Sequence, residues 1–304
     1  MNDAGRSHRR PPSGEQYAIA AGSTQAHVSQ VGATLRCFTV DGRDVIDGFV
    51  AEERATDGRG QILAPWPNRL TDGSYRYGGR DCQAPLNEIA RQDAIHGLVR
   101  WLAWTLVEHT PASVSLSCAL RPQPGYEWNL DLHVTYAVND AGLSATLQAV
   151  NADVEPAPFG AGFHPYLTLG TATIDDLLLT VSGTANLDRA ALASQTTHDF
   201  RASRRIGSTQ LDTAFSDLTR GADGTAVARL ENPSNGRSVE LWVDDKYRYL
   251  MVYTADHVGR PERRRHAVAI EPMTCPPEAF RTGTDLIELD PGQSWRGSWG
   301  LRIT

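Results

Sequence analysis

Residues 130–149 read LDLHVTYAVNDAGLSATLQA, and this stretch decides the fold. Leu130, Leu132, Val134, Tyr136 and Val138 alternate with mostly polar residues, and Leu143, Ala145, Leu147 and Ala149 resume the alternation. Between them Asn139-Asp140-Ala141-Gly142 carries turn chemistry. A period of two on both sides of a turn predicts a β-hairpin with one face buried. Working outward, similar strands are legible at residues 33–40, 114–120, 239–243, 249–253 and 298–303. Leu177–Val181 is a continuous apolar run and predicts a strand covered on both faces. No amphipathic helix of three turns is visible. Many short strands between Gly, Pro, Asn and Asp turns predict an all-β sandwich or barrel, and no internal repeat suggests a propeller or solenoid.

The chain of 304 residues has a formal net charge of −7. That charge argues against nucleic acid as a partner, because polyanion binding needs a positive surface that displaces counterions. The basic clusters at residues 6–10 and 263–266 read as a solvated tail and a solvated loop. No apolar run is long enough to cross a bilayer, and the first residues lead into no apolar signal core, so a cytoplasmic protein with no membrane partner is expected. Residues 1–16, polar and containing Pro11 and Pro12, read as a disordered leader, and residues 17–304 as one domain. Cys37, Cys82, Cys118 and Cys275 show neither zinc-site nor disulfide-framework spacing. Cys37 and Cys118 fall within strand patterns and are expected as small buried hydrophobes.

Four polar stretches interrupt the strands. In Pro65-Trp66-Pro67-Asn68-Arg69 the prolines favour a rigid loop over an interior strand. Arg69 offers a planar fork of donors to hydroxyls or a carboxylate, although pairing with a structural acid is the stronger reading of this arginine alone. Trp66 suits either a sugar face or a packing role. In His96-Gly97 the glycine allows close backbone approach beside an imidazole; alone, it is a weak signal. In Gly160-Ala161-Gly162-Phe163-His164-Pro165-Tyr166 the proline biases His164 to an extended backbone. The small residues are expected to leave room for a ligand, and the aromatic pair to wall the site. In Val268-Ala269-Ile270-Glu271-Pro272 an apolar strand is expected to end at a carboxylate, the proline stopping the ladder. Desolvation there would raise the proton affinity of Glu271 and suit it to act as a base; the structural alternative is an ion pair, with Arg69 as a candidate. Asp212, after Leu211, reads alone as a cap or turn residue.

In this order the segments resemble the aldose 1-epimerase (galactose mutarotase-like) family from about residue 60 to the C-terminus. Asn68-Arg69, Asn87 with His96-Gly97, His164-Pro165-Tyr166, Leu211-Asp212 and Ile270-Glu271-Pro272 with Pro276-Pro277 are similar to five of its segments. The resemblance implies a β-supersandwich with few or no long helices, no metal and no organic cofactor. It also implies Glu271 as general base, His164 as general acid, and His96 as a second histidine near the anomeric carbon. Arg69 and Asp212, with Asn68 and Trp66 beside them, become the expected sugar-binding residues. Leu98 stands where galactose mutarotases commonly have a second glycine. Residues 64–67 and 273–275 look closer to a bacterial subgroup that includes proteins resembling sulfoquinovose mutarotases. The expected activity is exchange of the α and β anomers of a free aldohexose by a monomer or weak homodimer, His164 entering as imidazolium. Three other readings are a non-catalytic carbohydrate-binding or sugar-sensing protein, a glycoside hydrolase using Asp212 and Glu271, and a sugar-phosphate epimerase, which would need several cations around the cleft.

Overall fold

The structure, a computed structural model, describes residues 11–183, 185–187 and 198–303. The decisive hairpin forms as Leu130–Asn139 and Gly142–Asn151, with Asn139 opposite Gly142. All nine of its alternating apolar side chains are buried. The Asn139 side chain accepts the Ala141 amide at 2.8 Å, closing the turn. Gly142 has φ 136°, and a Cβ there would lie 2.0 Å from the Leu301 carbonyl, so only glycine lets the neighbouring strand close in.

These strands sit inside a nine-stranded antiparallel sheet. Its spatial order runs Thr105–His109, Ser113–Leu120, Leu130–Asn139, Gly142–Asn151, Ser294–Ile303, Ser238–Val243, Ala226–Glu231, Leu178–Val181 and Arg204–Arg205. A seven-stranded sheet faces it, in the order Ala185–Leu187, Asp212–Ser216, Tyr249–Tyr253, Val268–Met273, Gly162–Phe163 and Ile62–Leu63, with Tyr166–Leu167 also on Val268–Met273. Phe163 joins the layers, packing on Tyr136, Tyr247 and Trp299. A four-stranded sheet from Gln16–Ala21 to Arg43–Asp44 precedes both, and the only α-helix among the described residues is Ala279–Thr282. This is the all-β architecture the alternation predicts, in the sandwich form the family resemblance implies. No helix among the described residues is long and apolar enough to cross a membrane.

Three expectations need correction. The Leu178–Val181 strand buries alternate residues, with Leu178 and Thr180 half-buried, because only one face of the large sheet meets the core there. Of the stretch expected as a leader, residues 1–10 lie outside the described residues, but Ser13 is buried and donates to the Ala51 carbonyl at 2.5 Å, and Gln16 opens the first strand. The four cysteines are free; Cys118 is buried as expected, whereas Cys37 is half-buried.

Candidate active site

The Val268–Met273 strand is buried throughout, and it positions Glu271. It does not end there. Pro272 continues the ladder opposite Leu250, and Met273 pairs with both Tyr249 and Gly162. On its other side Gly162 pairs with Met273 and Tyr166 with Ala269. Carrying that register through the intervening residues sets His164 directly opposite Glu271. The Thr274 amide donates to the Ala161 carbonyl at 2.9 Å and the Ile270 amide to the Pro165 carbonyl at 3.2 Å, so the ladder holds on both sides of the His164–Glu271 position. Only the bonds that Pro272 and Pro165 cannot donate are missing there.

Residues opposite one another in an antiparallel pair share a face, as do residues two apart. One face therefore carries two rows. Asp212, Tyr253, Ala269 and Tyr166 form the first, and Ala214, Met251, Glu271 and His164 the second. Phe163, Leu250, Val252 and Ile270 point the other way into the main core.

A cleft of about 830 Å³ lies over this face, and Glu271, His164, His96, Arg69, Asp212 and Asn68 all line it. His164 Nε2 stands 3.1 Å from Glu271 Oε1, both side chains at least 95% buried. The His164 ring stacks on Tyr166 at 4.9 Å and meets His96 edge-on at 5.2 Å. Gly58 closes its remaining side: a Cβ there would come within 2.6 Å of the ring. Gly160 and Gly162 do not make room for ligand, contrary to expectation. A Cβ on Gly160 would meet Cys275 Sγ at 2.6 Å and one on Gly162 the Pro272 carbonyl at 2.8 Å, so these glycines let backbones pack. Of the expected aromatic walls, Tyr166 serves and Phe163 faces the core.

Burial raises the proton affinity of the Glu271 carboxyl well above its ordinary range; nearby Asp212 adds to this and Arg69 opposes it. His164 moves the opposite way, pushed down to about 3 by burial and by Arg100 and Arg59, with a smaller effect of Arg69. Burial among arginines thus works against the expected standing imidazolium on His164 in the free protein. At 3.1 Å Nε2 and Oε1 are within hydrogen-bonding distance, so a proton shared there belongs to the pair and not to either residue.

His96 is fixed through its backbone. The Asn68 amide donates to His96 Nδ1 at 3.1 Å, and the His96 amide donates back to the Asn68 carbonyl at 2.9 Å. Both residues have positive φ, 55° and 65°. With Nδ1 accepting, the neutral ring carries its proton on Nε2. Burial, then His164 and Arg100, hold this ring well below its usual range. The donor atoms of His96, His164 and Glu271 lie within 4.8 Å of one another, a grouping open to a metal ion. A ligating histidine, however, donates from its second nitrogen to an acceptor, whereas Nδ1 of His96 receives a proton. The trio fits proton chemistry better than ligation.

Arg69 is held by Glu88 through Nε and Nη2 at 2.7 and 3.1 Å and reaches Asp212 at 3.3 Å. Its acid partners are therefore Glu88 and Asp212; no ion pair joins it to Glu271. Asp212 is the first residue of its strand and not a cap. The Asn68 side chain is buried and accepts the Arg69 amide at 2.8 Å. Trp66 is the expected residue that the site does not receive: it is buried in the core against Phe280. Sequence reasoning missed Glu88, Arg91, Arg100, Met251 and Tyr253. Only Tyr253 and Met251 had a usable signal, being two apart on a strand already read as such.

A family model described as aldose 1-epimerase matches residues 15–302. The protein named Uncharacterized protein YihR, from Escherichia coli (strain K12), is 33% identical over 293 residues, covering 93% of this chain and 92% of that protein. Among solved structures, a GalM/aldose epimerase homologue from C. elegans has a TM-score of 0.84 at 20% identity, covering 95% of this chain and 98% of that one. A galactose 1-epimerase from Lactobacillus acidophilus has a TM-score of 0.75 at 21% identity, covering 93% and 91%. At these identities the structural likeness speaks for the fold, which is galactose mutarotase-like.

Proposed function

This chain belongs to the aldose 1-epimerase family, and we propose that it interconverts the α and β anomers of a free aldohexose by acid–base ring opening and closure. The observation that carries the reading is the contact of His164 Nε2 with Glu271 Oε1 at 3.1 Å, buried in a cleft of about 830 Å³. Ring opening removes a proton from the anomeric hydroxyl and adds one to the ring oxygen. Those two oxygens share one carbon, so an acid and a base already in contact are spaced to serve both.

Glu271 takes the hydroxyl proton while the proton held by the pair passes through His164 to the ring oxygen. The aldehyde turns about its adjacent carbon–carbon bond, and closure runs the transfers in reverse. The pair begins and ends with one proton, and no atom is oxidised or reduced. A positioned acid or base typically contributes about 10²–10⁴-fold. His96 offers Nε2–H to an oxygen at the anomeric centre. Arg69 and Asp212, already holding each other, present a preformed donor–acceptor edge to sugar hydroxyls.

Six carboxylates (Asp57, Glu88, Asp212, Asp256, Glu271 and Glu278) and three arginines line the cleft among the described residues, a balance that supports an uncharged sugar. A hydrolase using Asp212 and Glu271 has less support, since Arg69 pins Asp212.

The test is polarimetry on freshly dissolved single anomers of glucose, galactose, a 6-phosphorylated hexose and a 6-sulfonated hexose. Accelerated decay to the equilibrium rotation is expected for at least one uncharged hexose. Acceleration of the charged sugars alone would overturn the substrate class, and acceleration of none would leave a sugar-binding protein.

A further inference from the structure

Arg100 lines the same cleft, yet nothing in the proposed chemistry uses it. Its residue is 91% buried, from a relative exposure of 9%, and no carboxylate pairs with it among the described residues. Burial lowers its proton affinity to about 10, which leaves the guanidinium charged at neutral pH. A buried cation without a counter-ion is costly, and hydrogen bonds to neighbouring oxygens offset part of that cost. Nη2 donates to the Ile95 carbonyl at 3.2 Å, immediately before His96, and Nη1 donates to Gln61 Oε1 at 3.4 Å. Gln61 returns its side-chain amide to the Arg100 carbonyl at 3.0 Å, and its own carbonyl receives the His164 amide at 3.1 Å. One side chain therefore reaches the backbone beside His96 directly, and the backbone of His164 through Gln61.

We propose that Arg100 is a positioning residue for the two histidines: it ties together the segments that carry them and supplies the buried positive charge that opposes a second one on either ring. The inference rests on the acid–base reading of the site. Other groups also face the rings. Glu271, Arg59, Arg69, His96 and Tyr166 surround His164, and His164, Arg69 and the Asn68 amide surround His96. Arg59 is neutralised by Asp47 and Asp57, and Arg69 by Glu88 and Asp212. Arg100 is the one among these three arginines whose charge no acid offsets.

Arg100→Met removes fork and charge; Arg100→Lys keeps the charge and loses the fork. Histidine carbon–proton NMR resonances of the free protein, assigned with His96→Gln and His164→Gln, are followed from pH 8 to about pH 2, through the low range where His164 is expected to titrate. The His164 or His96 midpoint is expected to rise by about one pH unit or more in Arg100→Met, the size typical of a nearby charge, and to stay near the wild-type value in Arg100→Lys. In anomer-exchange assays the acid limb should move with that midpoint in Arg100→Met, while Arg100→Lys loses turnover at every pH. Unchanged midpoints in Arg100→Met, or equal shifts in both variants, would overturn the proposal. Should Arg100→Met not fold, Arg100→Gln replaces it with the same outcomes. The titration needs no substrate, so a wild-type protein inert towards every sugar would sink the enzymatic reading while the Arg100 result stood separately.

Discussion

Replacing Glu271 by Gln keeps the shape of the side chain and removes the group that can both take and return a proton beside His164 Nε2. The change also bears on stability, and the sign follows from burial. A carboxyl whose folded proton affinity is raised contributes stability that is present below its unfolded value of 4.5 and lost as pH climbs through the folded value. Glu271→Gln is therefore expected to be at least as stable as wild type at pH 7.5, with its advantage shrinking towards pH 4.5. His164 and His96 are lowered, so their contribution is full above 6.5 and drains as pH falls, for His164 towards about 3. Urea midpoints for wild type, Glu271→Gln and His164→Gln at pH 5 and 7.5 check both signs; a Glu271→Gln protein markedly less stable at pH 7.5 would contradict the first. Glu271 and His164 stood out in the sequence through the segments that resemble the aldose 1-epimerase family; a carboxylate in an apolar strand and a histidine before proline agreed with that reading but did not decide it alone. Their protonation was not legible there, since the arginines that set it come from residues 59, 69 and 100 and meet only in the folded chain.

The register between Gly162–Phe163, Tyr166–Leu167 and Val268–Met273 is what turns two motifs into a site. Gly162 sits at the point of closest approach, 2.8 Å from the Pro272 carbonyl to an added Cβ. Gly162→Ala should push these strands apart, costing about 1–3 kcal/mol as overpacking does, and should weaken turnover by drawing His164 from Glu271. Denaturant melts and anomer-exchange rates on the same samples test it; a stable, fully active Gly162→Ala would show that the pairing does not depend on this contact. The long strands were readable from alternation, as at Leu130–Asn139 and Gly142–Asn151, where every second side chain is buried. Strands of two or three residues, such as Ile62–Leu63, Arg69–Thr71 and Asp93–Ile95, were not. Two residues cannot display a period, and these form because partners elsewhere in the chain offer an edge. Pro272 misled because one proline costs the ladder a single bond, and the amides of Ile270 and Thr274 on either side keep the strands paired.

Across the whole molecule the nine-stranded sheet supplies the mass of the core and the seven-stranded sheet supplies the reactive face. The loops between residues 57 and 100 bring Arg69, His96 and Arg100 over that face. The fold class and most of the expected site residues were open to sequence reading because they sit in short marked segments. The clamp on Arg69 was hidden, because Glu88 lies in a loop with no pattern of its own and Asp212 is 143 residues away. Arg69→Ala releases both acids into the cleft, and the expected result is a raised KM with a smaller change in kcat, as for contacts made equally before and during reaction. A pure kcat defect at unchanged KM would contradict that division. The most direct test of the account is magnetisation-exchange NMR at anomeric equilibrium on wild type, Glu271→Gln and His164→Ala, using the sugar that polarimetry selects. Wild type is predicted to exchange the anomers rapidly and each variant to lose at least about 10²-fold while remaining folded. Near-normal exchange in either variant would contradict the claim that this buried pair carries the reaction.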